Sequence, residues 1–293
     1  MNDGKRLRYA LEAAAVRLGL ALFRALPLDW ASALGGAVAR CIGPLLPISR
    51  EATARLRRAM PVLGAAEARR IIRRMWDNLG RVAGEYAHLD EFDLHPPGSR
   101  VELVGAEHIE ALRDDGIGGI FFSGHYGNWE ILSLAAGQKG VPLTLVYREA
   151  NNPAVETLLQ RIRARGTGRH VPKGSAGARD SVADLAKGGH LGMLVDQKLN
   201  DGIAIPFFGR DAMTAPALAR LALRYDCPIV PARVERLGGA RFRITVFPPL
   251  RLARSDDKDA DVRAAMTRVN AMLEGWIRER PDHWFWLHRR WPD

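Results

Sequence analysis

From Val101 onward, short runs of β-branched or aromatic residues alternate with helical stretches, and this alternation most limits the folds open to the chain. The runs are "VELVG", "GGIFFSG", "PLTLVY", "HLGMLVD", "AIPFF", "PIVPARVER" and "RFRITVFPPL". Strands separated by helical crossovers of about ten residues pair side by side in parallel, with the helices packed on the sheet. The pattern therefore predicts an α/β fold with a mainly parallel or mixed central sheet flanked by helices. The last two runs flank "LGGA", a hairpin signal that would make part of the sheet antiparallel. A closing helix is expected near 259–280. Before residue 91 the sequence reads as helical throughout, broken at Pro27, Pro44, Pro47 and Pro61, and "AAEARRIIRRMWDNLGRVAGEYAHL" has a clear helical period. The chain thus divides into an all-helical leader, residues 1–95, and an α/β domain, residues 96–293.

The leader raises a membrane question, because "LRYALEAAAVRLGLALFRALPLDWASALGGAVARCIGPLLPI" is long and rich in Ala and Leu. Arg17, Arg24 and Arg40 interrupt it, so no window of about 20 residues is free of charge, as a spanning helix would require. Arg17 and Arg24 fall near one helical face, and Leu11, Ala14, Ala15, Leu18 and Leu22 are available to the other. That suits a membrane-associated helix lying in the interface; a core-packing helix with a polar stripe fits the same pattern. Glu12 close behind Lys5, Arg6 and Arg8, with no clean small-residue cleavage site, argues against a signal peptide.

Forty-three Lys plus Arg against 33 Asp plus Glu leave a formal charge of +10, nearly all of the excess being Arg. Such a chain favours anionic partners: an anionic membrane surface, a phosphorylated substrate, an acidic carrier protein or nucleic acid. The arginines are dispersed and no nucleic-acid-binding module is present, so a non-catalytic basic binding protein is the weaker reading and no nucleic acid is expected. Cys41 and Cys227 have neither metal-ligand nor redox spacing and read as buried small hydrophobes.

In "GGIFFSGHYGNWEIL" an apolar strand runs into His125 and Glu130. On a continuous helix five residues turn through about 500°, which would leave the two side chains roughly 140° apart. They can meet only across a turn, for which Gly124 and Gly127 supply freedom, with a helix starting near the capping residue Asn128. A carboxylate beside an imidazole fixes its tautomer and leaves the other ring nitrogen to act as a general base. The chain lacks a G-x-S-x-G elbow, so direct attack by a substrate hydroxyl fits better than an acyl-enzyme. H-E-x-x-H is absent as well; no metal and no cofactor are expected. "HLDEFDLH", residues 88–95, reads as a polar loop.

"GHYGNWE" is followed in order by "VYREANNP", "RIRARG", "LVDQK", "PFFGRDAMTAP", "PIVPARVER" and "WFWLHRRW". This ordered set resembles the lipid A biosynthesis lauroyl/myristoyl acyltransferase family of the lysophospholipid acyltransferase superfamily. The resemblance implies transfer of a fatty acyl chain from acyl carrier protein to a hydroxyl of a phosphorylated glycolipid, a lipid A precursor, at the cytoplasmic face of the inner membrane. It makes His125 the base and Glu130 its partner, gives Arg163 and Asp196 functional positions, and suggests Arg148 as a contact for phosphate or carrier. "LVDQK" stands where the glycerol-phosphate branch carries an "EGTR"-like block, which disfavours glycerol phosphate as acceptor. Another polar lipid, a phosphoinositol mannoside or an ornithine lipid, is the alternative acceptor. "FFG" and "WFWLH" could line an acyl pocket or sit in the core, and Arg289 and Arg290 could bind phosphate or merely finish the packing.

Overall fold

The computed structural model describes residues 3–95, 98–147, 149–163 and 168–291. The leader forms α1 (Asp3–Ala25), α2 (Leu28–Ile42), α3 (Pro47–Ala59), α4 (Ala65–Glu85) and a 3₁₀ turn at Tyr86–Glu91. Then follow β1 (Val101–Val104), α5 (Ala106–Asp114), β2 (Gly119–Ser123), α6 (Leu132–Gln138), β3 (Leu143–Tyr147), α7 (Pro153–Arg163), β4 (Arg169–Pro172), α8 (Ser175–Leu185) and β5 (His190–Leu194). The remaining elements are β6 (Lys198–Phe207), β7 (Arg210–Thr214), α9 (Ala217–Tyr225), β8 (Ile229–Gly238), β9 (Arg241–Val246) and α10 (Lys258–Glu279).

Among the described residues the main sheet has seven strands in the order β1-β9-β8-β2-β5-β3-β4. Every neighbouring pair is parallel except β8 with β9, the hairpin expected at "LGGA". The "AIPFF" run is not in this sheet. It belongs to β6, which pairs antiparallel with β7 as a separate ribbon.

Side chains alternate across β2, and both faces are covered, so the strand reads as an unbroken apolar run. Ile120 and Phe122 enter one core with Leu191, the inner faces of α3, α4, α9 and α10, and Trp284, Trp286 and Trp291. Phe121 enters the other with Leu143, Val230, Val234 and the inner faces of α5 and α6. The central strand therefore ends, at Ser123, with little room to vary its direction.

In the leader, α2 and α4 meet backbone to backbone. A Cβ on Gly35 would strike the carbonyl of Gly80, and one on Gly84 the carbonyl of Ala31, so only glycine permits this spacing. The outer faces are apolar: Leu7, Leu11, Leu18 and Leu22 of α1 and Trp30, Leu34, Val38 and Ile42 of α2 are all exposed. No single described helix is long and apolar enough to cross a membrane; a bent pair, Leu28–Leu45 with Pro47–Ala59, meets the length and composition only across an 86° break.

Two sequence expectations are corrected here. Cys41 is exposed on α2, while Cys227 is buried as expected. The "HLDEFDLH" stretch is not a plain polar loop: His88 is buried within the 3₁₀ turn, with Nδ1 on Glu91 at 2.6 Å and Nε2 on the Phe23 carbonyl at 2.8 Å.

Candidate active site

Parallel neighbours β2 and β5 end together, with Ser123 paired to Leu194. Two residues beyond each strand lie His125 and Asp196, and the shared register brings them into contact. His125 Nδ1 is 2.8 Å from Asp196 Oδ1, and the His125 backbone N–H donates to Asp196 Oδ2 at 2.8 Å. Trp284 Nε1 donates to the same Oδ2 at 2.8 Å. Asp196 is wholly buried, so bulk solvent does not reach its two oxygens, which face three donors. An Nδ1–H donated to Asp196 leaves Nε2 as an acceptor, with the Gln197 amide 3.4 Å away.

The turn after β2 is held from several sides. Gly127 has φ +61° and sits so close to the Val234 carbonyl that a Cβ would overlap it, a double reason for glycine. Its N–H donates to the His283 carbonyl at 3.0 Å, and its own carbonyl accepts from Asn78 Nδ2 at 2.9 Å. Phe285 N–H donates to the His125 carbonyl at 3.1 Å. A 3₁₀ turn, Trp129–Ile131, precedes α6. Asn128 precedes it as expected, but its side chain caps nothing: the amide turns inward and donates to Glu85 Oε2 at 2.8 Å.

The carboxylate bound to the imidazole is therefore Asp196, and the expected pairing of His125 with Glu130 is corrected. Among the described residues Glu130 makes no hydrogen bond to the imidazole; its Oε1 accepts from Trp129 Nε1 at 3.1 Å. The Trp129 ring packs edge-on against the imidazole, centroids 5.1 Å apart. Glu130 still acts on His125 through its charge, and Arg163 acts on Glu130.

A cavity of about 570 Å³ opens beside these groups. Phe121, Leu143, Leu145, Ala136, Ile109 and Ile244 give it an apolar wall, and Arg163, His170, Lys173 and Tyr147 a polar one. His125, Glu130 and Gln197 also border it. The Arg163 guanidinium lies over the Tyr147 ring at 4.7 Å and acts on the Tyr86 hydroxyl, yet Arg163 Nε and Nη1 and that hydroxyl are buried with no well-formed hydrogen bond among the described residues. Buried donors of this kind are costly unless an acceptor reaches them.

The electrostatics follow from these contacts. Burial works to lower the His125 pKa, but the charge and hydrogen bond of Asp196 outweigh it and hold the imidazole above its ordinary value. Burial also opposes ionisation of Asp196, and His125 overcomes it, leaving this carboxyl far below the usual range. Burial pushes Glu130 upward, against Arg163 and the Trp129 hydrogen bond. It drives His288 and His170 down to about 4 each, so both are neutral at pH 7.

Ligand atoms of His125, Asp196 and His288 lie within 4.8 Å of one another, a two-histidine, one-carboxylate set. As arranged, both Asp196 oxygens are engaged, and an ion would have to displace the His125 Nδ1 proton. Arg148 lies outside the described residues. In the aromatic tail, Trp284 and Trp286 are core residues, and Arg290 is fully buried against Thr214 Oγ1 at 2.7 Å, whereas Arg289 is exposed. The role of Trp284 as a donor to Asp196 had no sequence signal beyond its place in the last block.

A family model described as bacterial lipid A biosynthesis acyltransferase matches residues 3–293. A lipid A biosynthesis acyltransferase of Haemophilus influenzae is 24% identical over 192 residues, 64% of this chain and 58% of that protein. The chain therefore aligns with little more than half the length of that relative. The solved 1-acyl-sn-glycerophosphate (LPA) acyltransferase PlsC from Thermotoga maritima superposes with a TM-score of 0.38 at 13% identity, over 86% of this chain and 98% of that one.

Proposed function

The chain belongs to the bacterial lipid A biosynthesis acyltransferase family, whose members transfer acyl groups, and on that premise we propose that His125 is its general base. The observation that carries the reading is the imidazole itself: Nδ1 is tied to a buried carboxylate, and the residue borders a cavity with an apolar wall and a polar wall that includes Arg163 and Lys173. In this reading Nε2 takes the proton of an acceptor hydroxyl as its oxygen attacks the carbonyl carbon of an acyl thioester. The C–O bond forms, the tetrahedral intermediate collapses, the C–S bond breaks, and the imidazolium returns its proton to the departing thiolate. Asp196 holds the tautomer and stabilises the imidazolium.

The apolar wall suits a fatty acyl chain. Arg163, with two buried donors that meet no well-placed acceptor among the described residues, suits an anionic group of donor or acceptor, because a guanidinium fork matches phosphate or carboxylate. Glu130 is assigned an electrostatic part, between Arg163 and His125. We assign the donor to acyl carrier protein and the acceptor to a hydroxyl of a phosphorylated lipid A precursor, in line with the family. The exposed leucines of α1 and the Trp30 stripe of α2, with Lys5, Arg6, Arg8 and Arg17 on α1, favour an anionic membrane surface, which we assign, in line with the family, to the cytoplasmic face of the inner membrane.

The test is transfer by purified protein from acyl carrier protein thioesters to a phosphorylated lipid A precursor in mixed micelles, with the product read by mass spectrometry. Transfer that is lost in His125→Ala supports the reading. Transfer retained by a folded His125→Ala removes His125 as the base, and a parent active only on other polar lipids removes the acceptor.

A further inference from the structure

Behind the catalytic turn lies a buried polar cluster that touches no part of the cavity. Arg236, on β8, places Nη2 3.0 Å from Glu85 Oε2 and Nη1 against Glu85 Oε1, and donates from Nε to Asn78 Oδ1 at 2.9 Å and from Nη1 to the Gly239 carbonyl at 2.6 Å. Glu85 accepts also from Ser32 of α2, 2.6 Å from Oε1. Glu85 is wholly buried, and Asn78 and Arg236 nearly so. Two arms reach out of this cluster, and both end on the turn between His125 and Glu130: Asn78 Nδ2 on the Gly127 carbonyl, and Glu85 Oε2 on the Asn128 amide.

A buried ion pair is weak as a stabilising device, since well-packed apolar side chains of the same volume serve as well or better. What apolar side chains cannot do is fix the orientation of a carbonyl and an amide. The position of residues 127 and 128 sets where Trp129 and Glu130 stand, and Trp129 is the ring against the imidazole. Resting on the reading of His125 as base, we infer that Asn78 and Glu85, locked together by Arg236, are positioning residues for the reaction. They hold the Trp129–Glu130 wall of the site, while Asp196 independently holds the imidazole. Two separate restraints thus act on one turn: one sets proton affinity, the other sets placement.

Each arm can be cut with the Glu85–Arg236 pair left in place. Asn78→Ala releases the Gly127 carbonyl, and Asn128→Ala releases Glu85 from the turn. The assay follows thiol release from acyl carrier protein thioester beside acyl transfer to the glycolipid, across pH, with melting temperature recorded. Displacing a reacting group by about 1 Å costs up to about 10²-fold. We therefore expect kcat to fall about 10- to 100-fold in each variant, with KM within twofold and the ascending limb of the pH profile moved far less than in an Asp196 variant, because the Asp196 contacts are intact and Glu130 is the smaller influence on the imidazole. Asn78→Ser and Asn128→Ser replace any alanine variant that does not fold. Parental kcat with only a lowered melting temperature would make the cluster purely structural and overturn the inference. A pH limb displaced as in an Asp196 variant would overturn it too, since the cluster would then act through the imidazole. A parent inactive on both readouts would fault the acyltransferase reading instead.

Discussion

Asp196→Asn is the most exacting test of the proposed base. The substitution keeps shape and volume, so what changes is hydrogen-bond polarity. Asp196 offers two oxygens to three donors: Oδ2 takes the His125 N–H and Trp284 Nε1–H, and Oδ1 takes the imidazole Nδ1–H. Asparagine has one oxygen and one NH₂. If its oxygen replaces Oδ2, two donors remain satisfied and the NH₂ faces Nδ1. The imidazole must then accept at Nδ1 and carry its proton on Nε2, the nitrogen needed as a base. The opposite amide orientation leaves two buried donors facing an NH₂, at about 1–3 kcal/mol each, so the first is preferred. A wrong tautomer of this kind costs about 10⁴ in kcat where a histidine is the general base. We expect kcat to drop about 10²- to 10⁴-fold, with the protein folded and ¹⁵N NMR showing the Nε2–H form. The pH dependence has a definite sign. A base works when neutral, so parental activity rises as pH passes upward through the raised His125 pKa. Without Asp196, burial dominates and lowers that pKa, so the NMR titration of His125 in the variant moves to lower pH. Near-parental turnover by Asp196→Asn, or an imidazole titration moved upward, would refute the assignment.

Arg163→Lys keeps a charge but loses the planar fork, and should lower kcat/KM at least tenfold with little change in melting temperature; equal activity would reduce Arg163 to a charge at most. Gly192 lies in the cavity wall between Phe121 and Leu145 in the sheet register, and any Cβ there meets Leu145. Gly192→Val should therefore narrow the cavity and shift the preferred acyl donor to a shorter chain, read by competition among donors of graded length; an unchanged preference places the chain elsewhere. Leu18→Glu with Trp30→Glu, both exposed, should weaken binding to anionic vesicles by tenfold or more while leaving turnover in detergent intact, and unchanged sedimentation with vesicles would remove α1 and α2 as the docking surface.

Much of this was legible in the sequence, for reasons that also explain the gaps. Period and punctuation reveal strands such as Gly119–Ser123 and the β8–β9 hairpin, because burial on both faces or one face writes itself into residue order. They do not reveal β4, whose four residues "RHVP" present one buried side chain, or α8, which opens after Gly174 and has little apolar periodicity. His125 was found from its place after a buried strand. Its hydrogen-bonded carboxylate is harder to see, because proximity in sequence favours Glu130, whereas the contact is made across parallel strands by a residue 71 positions away. A signal existed: Asp196 ends an apolar run two residues past its strand, just as His125 does, and parallel neighbours end at the same edge of a sheet. Asn128 looked like a cap because caps are local, and the acceptor it uses lies on a distant leader helix.

The link between Trp284 and Asp196 spans 88 residues, and Gly127 waits on the same segment for the His283 carbonyl. Synthesis runs from the N-terminus, so β2 and β5 are made well before the residues that finish their ends. Until the 283–286 segment docks, Asp196 lacks a donor and the turn after His125 lacks two of its backbone bonds. The order of assembly thus separates building the sheet from arming it. A nascent chain can acquire the sheet and the apolar layer around Phe121 first, whereas the layer around Phe122 and the final geometry of the His125–Asp196 pair wait for a segment made 88 residues after Asp196 to fold back onto them.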